Sequence, residues 1–356
     1  MIRIIHCSDI HISVREEEYS FSVLDEIINL TNKFKATHLV LSGDVFDSFH
    51  DMEKTRNAFA KRIDRLDPKI KTIFISGNHE MLGMGMTDIS RFVISDNANF
   101  ISSMDGKCRL IFDQGIEFLL MPYQGIRRGF VDPGIPGKKH YRMAIFHGTI
   151  TGMSFNGIDC ESDPWAIDAG VFTNYSVDYA AMGHIHAKKS GLSGKTRIEY
   201  PGSARVWRKN EPGEHGINII EIGNDVKVQF LPLESAGCYR DIELPLNLDG
   251  TIDPDRAETS SWGRSDWINI IFTGLVEDEK TVLELQRRIE NKYSSLARKL
   301  TFERNVDILS GISENLFAKK FLEILDKKKS FYDEKMWLKM RVMGLNEIKN
   351  ILEAGK

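Results

Sequence analysis

Through the first eighty residues, short apolar runs of strand length alternate with amphipathic stretches of helical period. IRIIHCSD (2–9) precedes FSVLDEIINLTNKF (21–34), in which Phe21, Leu24, Ile27, Ile28 and Leu30 fall on one helical face. HLVLSGD (38–44), a polar helix candidate from Met52 to Leu66 and KTIFISGN (71–78) continue the alternation, which predicts a βαβαβ unit. From Asn99 the pattern shortens. RLIFD, IEFLLMP, RMAIFHG, YAAMGHIH, RIEYPGS, GINIIEI and VKVQFLP read as strands separated by glycine-bearing turns. Strands outnumber helices there, so the expected architecture is mixed α/β, with sheets as inner layers and helices outside, over residues 1–235.

Residues 236–310 read as a smaller α+β unit. It holds the strand candidates YRDIELPL, WINIIFTG and RKLTFERNV and the helix candidate EDEKTVLELQRRIENKY. Residues 311–356 carry two amphipathic helix candidates, the first with Leu316, Phe317, Phe321, Leu322 and Leu325 as its apolar set. From Ser313 onward, ten Lys or Arg face seven Asp or Glu, a local net charge of +3 within a chain of −4. So dense an apolar set in a terminal segment favours a motif that docks in a partner's groove over helices packed only on their own domain.

Composition narrows the class. The chain has 356 residues, 42% hydrophobic and 28% charged, and no apolar run long enough to span a bilayer, so no membrane association is expected. The N-terminus alternates into a strand and lacks the features of a signal peptide. Cys7, Cys108, Cys160 and Cys238 have no paired spacing, which argues against a zinc ribbon or a disulfide framework and fits a reducing, cytoplasmic location. Without a global basic excess, any nucleic-acid contact must come from local patches.

The chemistry gathers at strand ends. The first strand runs into Asp9-Ile10-His11, the second into Gly43-Asp44 and then Asp47, and the third into Gly77-Asn78-His79-Glu80. Later strands end in His147-Gly148 and in Gly183-His184-Ile185-His186. Open α/β sheets place ligands at the carboxyl ends of their strands. Residues i and i+2 of a strand share a side, so Asp9 with His11, and His184 with His186, can converge on one point. Carboxylate, imidazole and amide oxygen suit Mn²⁺, Fe or Zn²⁺. One metal would take Asp9, His11 and His186, and the other Asn78, His147 and His184. Asp44 would bridge the two, since a carboxylate has two oxygens and the ions of such pairs lie roughly 3.5–4 Å apart.

The blocks SDIHI, SGDVFD, SGNHE, FHG and GHIH, in this order, resemble the signature of the calcineurin-like metallophosphoesterases over roughly the first 230 residues. That implies a two-sheet metallophosphoesterase sandwich flanked by helices. YAAMGHIH and RIEYPGSARVW further resemble the SbcD-type branch of DNA double-strand-break repair nucleases, as does the order of cap-like unit and helical tail. The sequence departs from that branch at Glu80, where Asp is frequent, and at Ile12-Ser13, where Leu-Gly is frequent.

The resemblance implies metal ligation by Asp9, His11, Asp44, Asn78, His147, His184 and His186. It makes His79 the catalytic histidine beside the scissile phosphate and Asp47 the acidic partner that orients it. It further implies a Mn²⁺-dependent DNA exonuclease or endonuclease, a homodimer, working with an SbcC-type coiled-coil ATPase that the tail would bind. A small-molecule or protein phosphoesterase is the alternative activity. Against it, the Arg-Gly that often follows GDxxD in phosphoprotein phosphatases is missing from GDVFDSFHD. Arg127-Arg128, Lys138-Lys139, Lys188-Lys189 and the Arg205–Lys209 stretch read either as DNA-backbone contacts or as ordinary solvated loops. Tyr123 and Trp207 read as base-stacking or packing residues. His38, His140 and His215 read as histidines outside the centre.

Overall fold

The computed structural model describes residues 2–81, 93–126, 137–151, 165–223, 225–247, 250–252, 262–276, 278–308 and 315–354. Arg127, Arg128, Cys160 and Ser313 lie outside the described residues. Two compact units are present, Met1–Cys238 and Tyr239–Lys356.

The first unit opens with β1 (Ile2–Cys7), α1 (Glu17–Lys33), β2 (His38–Ser42), α2 (Phe49–Ile63), β3 (Lys71–Ile75) and β4 (Phe100–Ser103). Then come β5 (Arg109–Asp113), β6 (Ile116–Met121), α3 (Tyr123–Ile126), β7 (Tyr141–His147), the short pair β8 (Ile150–Thr151) and β9 (Ile167–Asp168), and α4 (Gly170–Asn174). β10 (Tyr179–Gly183), β11 (Lys189–Ser193), β12 (Thr196–Tyr200), β13 (Gly216–Ile222) and β14 (Val226–Pro232) complete it. Two six-stranded sheets result, ordered β14-β13-β1-β2-β3-β4 and β11-β12-β10-β7-β6-β5. The expected βαβαβ start forms as parallel β1-β2-β3. Besides the two-residue strands β8 and β9, the strands not anticipated are β4 and β11, both edges of the six-stranded sheets. β11 reads Lys-Ser-Gly-Leu-Ser, with no apolar alternation for a sequence reading to detect.

Period-two alternation sorts the core into three layers. Ile4, Val40, Ile73 and Ile75 share one cluster with Phe118, Leu120, Met143 and Ile145 of the second sheet. Their strand neighbours Ile5, Cys7, Leu39, Leu41 and Phe74 join Phe21, Leu24, Ile28, Met52 and Phe59 of α1 and α2. Leu119, Ala144, Phe146 and Met182 face Phe172 of α4. Each Leu, Ile, Val, Phe or Met among them contributes roughly 1.5–3 kcal/mol on burial. Because both faces of β1 are apolar, hydrophobicity alone specifies its register weakly.

Polar contacts supply what the apolar pattern leaves open. His6 Nε2 lies 2.9 Å from Ser42 Oγ and 3.2 Å from the Met182 carbonyl, and Ser42 Oγ donates to the same carbonyl at 3.0 Å. Burial pushes the His6 ring down to about 3, so it stays neutral. These bonds join the two sheets at the strand ends where the polar motifs begin. A Cβ added to Gly183 would lie 2.1 Å from the Ser42 carbonyl oxygen and 2.7 Å from His147 Nδ1. Gly183→Ala is therefore expected to destabilise the fold by about 1–3 kcal/mol, the range for forced overpacking. A urea-unfolding midpoint equal to that of the parent chain would count against this close approach.

The second unit has β15 (Tyr239–Pro245), β16 (Trp267–Val276), α5 (Glu279–Tyr293) and β17 (Lys299–Ile308), a parallel sheet ordered β15-β16-β17. Asp278 caps α5 by accepting from the Thr281 N–H at 2.9 Å. Two helices follow, α6 (Leu316–Asp326) and α7 (Glu334–Ala354). Ala318 of α6 and Leu345 of α7 are fully buried, in one cluster with Leu275 of β16. Leu316, Phe317, Met343 and Ile351 remain exposed. No helix among the described residues is long and apolar enough to cross a membrane.

Candidate metal centre

The motif residues lie just beyond the strands. β1 ends at Cys7, and Asp9 and His11 take left-handed backbone angles, φ 52° and 50°. Asp44 (φ 48°) and His184 (φ 96°) do the same after β2 and β10. The convergence of Asp9 with His11 thus comes from this turn geometry; the strand alternation anticipated from i, i+2 spacing stops before it. Non-glycine residues there cost on the order of 1–3 kcal/mol each, and such strain persists where its surroundings over-determine it. Here the Asp9 N–H donates to the Gly43 carbonyl, and the His11 N–H to the Asp44 carbonyl, both at 3.1 Å.

The side chains meet in overlapping groups. Asp9, His11 and His186 form one, Asp44, His147 and His184 another, and His11, Asp44 and His79 a third, each with its candidate ligand atoms within 4.8 Å of one another. In the first, His11 Nε2 lies 3.2 Å from His186 Nε2, and His186 Nε2 lies 3.6 Å from Asp9 Oδ1. In the second, His147 Nε2 lies 3.3 Å from Asp44 Oδ2 and 3.2 Å from Asn78 Oδ1, and His184 Nδ1 lies 2.9 Å from the same Asn78 oxygen. Asp44 is shared between groups, as a bridging carboxylate must be. All seven expected ligand side chains are therefore brought together.

The donor chemistry fits cations. His147 Nδ1 donates to the Ser42 carbonyl at 2.8 Å, and a carbonyl only accepts, so the neutral ring presents a bare Nε2. His186 Nδ1 is likewise engaged with Glu211 Oε1 at 2.5 Å, which leaves its Nε2 bare. Donor atoms of imidazole, carboxylate and amide thus converge, and the charge of the buried carboxylates needs balancing. Divalent ions meet that need, and all seven residues are of types that hold them.

The electrostatics point the same way. Burial works against the Asp44 charge, but His147 beside it holds the carboxyl well below the usual carboxylate range. Burial likewise opposes protonation of His147, yet the Asp44 charge outweighs it and raises the ring to about 9. Burial lowers His11, keeping it neutral. The buried carboxylates attract positive charge, and a divalent ion carries more of it than a proton.

His79 and Asp47 stand differently from expectation. His79 Nδ1 donates to the backbone carbonyl of Asp47 at 2.6 Å, whereas the Asp47 carboxylate lies 3.4 Å from His11 Nδ1. Asp47 therefore meets His79 through its main chain, and its charge faces His11. The His79 N–H donates to Asp44 Oδ1 at 2.8 Å, while Nε2 stands 3.9 Å from Asp44 Oδ2.

The fold gives several of the residues named from the sequence roles that their order in the chain does not record. Fully buried Glu80 accepts N–H bonds from Asp44, Phe46 and Gly77 at 3.1, 2.9 and 2.7 Å, tying the second and third motif loops together. Burial and then the Asp44 charge push its carboxyl up to about 8. Arg205, weighed as a DNA contact, is fully buried; it donates to the Ile10 and His11 carbonyls at 2.7 and 2.5 Å and pairs with Glu16 at 2.7 Å. Trp207 stacks on His11 with centroids 3.9 Å apart and planes 6° apart. Lys138 pairs with Asp178, and Lys188 lies over the Phe230 ring at 4.3 Å. Tyr123 is buried, its ring 6.0 Å from that of His184. His38 pairs with Asp113 and His215 bonds Ser203 and the Glu211 carbonyl; neither belongs to the ligand groups.

Residues 2–188 match the family described as Calcineurin-like phosphoesterase. An uncharacterized metallophosphoesterase, YhaO of Bacillus subtilis (strain 168), is 24% identical over 254 residues, which cover 64% of this chain and 59% of that protein. The chain thus spans less than two thirds of that relative. Among solved structures, a dimetal phosphatase from Danio rerio is 10% identical, covering 65% of this chain and 96% of that one, with a TM-score of 0.42. Purple acid phosphatase PPD1 from yellow lupin (Lupinus luteus) is 12% identical over 67% of this chain and 52% of its own, with a TM-score of 0.44. Because the family match spans more than half of the 356 residues and includes all seven clustered side chains, the chain belongs to the calcineurin-like phosphoesterases, hydrolases of phosphoesters built around a dinuclear metal centre.

Proposed function

We propose that this phosphoesterase is a Mn²⁺-dependent DNA nuclease, with Asp9, His11 and His186 holding one metal, Asn78, His147 and His184 the other, and Asp44 bridging. The observation that carries the phosphodiester chemistry is the placement of His79 Nε2 on a partly exposed ring, 3.9 Å from Asp44 Oδ2, the carboxylate common to the His11–Asp44–His79 and Asp44–His147–His184 groups. When bound, two divalent ions offset the charge of the diester and lower the pKa of water. The protein's own part is proton transfer and orientation. The Asp47 carbonyl keeps a proton on His79 Nδ1, so Nε2 is the nitrogen that, once protonated, donates to the departing sugar oxygen. The Asp44 side chain holds the His79 main chain in place through its N–H.

Two features support DNA as substrate. Arg208 and Lys209 are exposed one and two residues beyond Trp207, which stacks on His11, and so offer phosphate contacts near the centre. The sequence blocks YAAMGHIH and RIEYPGSARVW resemble the DNA-repair branch. The exposed Leu316, Phe317, Met343 and Ile351 on α6 and α7 suit docking on the coiled coil of an SbcC-type ATPase, with the nuclease as a homodimer in a double-strand-break repair complex.

The test is purified full-length chain with Mn²⁺, incubated with end-labelled duplex DNA and, separately, with an aryl phosphodiester. Degradation of both is expected; turnover of the ester with DNA left intact would move the assignment to a phosphoesterase of small substrates. Deleting everything after Ile312 is expected to abolish co-purification with such an ATPase while short-DNA cleavage continues. Retained co-purification would exclude the helices as the docking element.

A further inference from the structure

We propose that Glu211 is a positioning residue that fixes the ring of His186 and thereby sets metal affinity at the Asp9–His11–His186 position. This rests on the dinuclear reading of the site. Glu211 lies outside the stretch matched by the family and in none of the signature blocks. Its side chain is mostly buried, 11% exposed, and both carboxylate oxygens are committed. Oε2 accepts the backbone N–H groups of Trp207 and Arg208, each at 2.9 Å, and Oε1 accepts from His186 Nδ1 at 2.5 Å.

The loop that carries it is itself pinned to the first motif. Arg205 grips the Ile10 and His11 carbonyls, and the Trp207 ring lies flat on His11. One short segment therefore holds both imidazoles of this position, His11 by stacking and His186 by a charged hydrogen bond. The second position is held differently: His147 donates its Nδ1 proton to a neutral acceptor, the Ser42 carbonyl. An anionic acceptor makes an imidazole a stronger donor to metal, and removing such a partner typically weakens metal binding by about 10–100-fold. The two positions should accordingly differ in their dependence on Glu211.

The decisive variant is Glu211→Gln. An amide has one accepting oxygen and one NH₂. Two backbone N–H groups claim the oxygen, so the NH₂ meets His186 Nδ1 and drives the ring to the tautomer with its proton on Nε2, where the metal should bind. Glu211→Asp keeps two accepting oxygens on a shorter arm and is expected to restore part of the affinity.

The first measurement is histidine nitrogen NMR on metal-free full-length protein at alkaline pH, where the ring is neutral. The expected result is a proton on His186 Nδ1 in the parent chain and on Nε2 in Glu211→Gln; a parent ring protonated on Nε2 would overturn the assignment. The second is Mn²⁺ titration by calorimetry. One of two equivalents should weaken by about 10–100-fold in Glu211→Gln while the other holds. Two equivalents of unchanged affinity, or both weakened alike, would also overturn it. A parent chain that takes up no Mn²⁺ would defeat the dinuclear reading instead, and the tautomer measurement would still decide whether Glu211 orients His186.

Discussion

Asp44→Asn is expected to lower phosphodiester turnover by on the order of 10³-fold or more while leaving the metal-free fold intact. The carboxylate is 2% exposed, and its two oxygens do different things. Oδ1 accepts the His79 N–H at 2.8 Å, so an asparagine must place its carbonyl oxygen there. Its NH₂ then occupies the Oδ2 position, 3.3 Å from the bare Nε2 of His147, and can donate to it. The substitution thus replaces a cation's place with a hydrogen bond and removes the shared negative charge. Metal charge stabilisation is worth several kcal/mol, and about 1.4 kcal/mol corresponds to a tenfold rate change, which sets the expected loss. The check is a pair of measurements, Mn²⁺-dependent thermal shift and turnover. Turnover within tenfold of the parent chain would remove Asp44 from the centre.

His79→Ala should behave in the opposite manner toward metal. Its Nδ1 is engaged by the Asp47 carbonyl and its N–H by Asp44, a bond that the substitution retains because it belongs to the main chain. Both metal equivalents should therefore bind as in the parent chain. In the proposed nuclease reaction, turnover of DNA should fall by about 10²–10⁴-fold, the usual contribution of a positioned general acid. The loss should be smaller for an aryl phosphodiester, whose leaving group departs without a proton. Metal uptake lost in step with activity would show that His79 is a ligand and would end its assignment as the acid.

Much of this arrangement was legible in the residue order. Apolar runs ending in Asp, Asn or His mark β1, β2, β3, β7 and β10, and these are the strands whose exits carry the cluster. The second sheet's interior strands were legible for the same reason, since an apolar run records burial on both faces. The edges β4 and β11 were not, because a strand paired on one side and wet on the other needs few apolar residues. The basic residues misled where charge was read without burial: Arg205 serves the motif loop, holding the Ile10 and His11 carbonyls.

The residue order by itself determined the family, the strands that deliver the chemistry and the identity of the clustered side chains. These are recorded locally, in periodicity and in short motifs. Only the tertiary structure decided how those side chains are aimed. The carboxylate of Asp47 turned to His11, Glu211 was set on His186, and Glu80 joined two loops, each through contacts between segments far apart in the chain. Hydrogen-bond geometry depends on distances of tenths of an ångström between such segments. Residue spacing carries no record of those distances until the sheets have closed on one another.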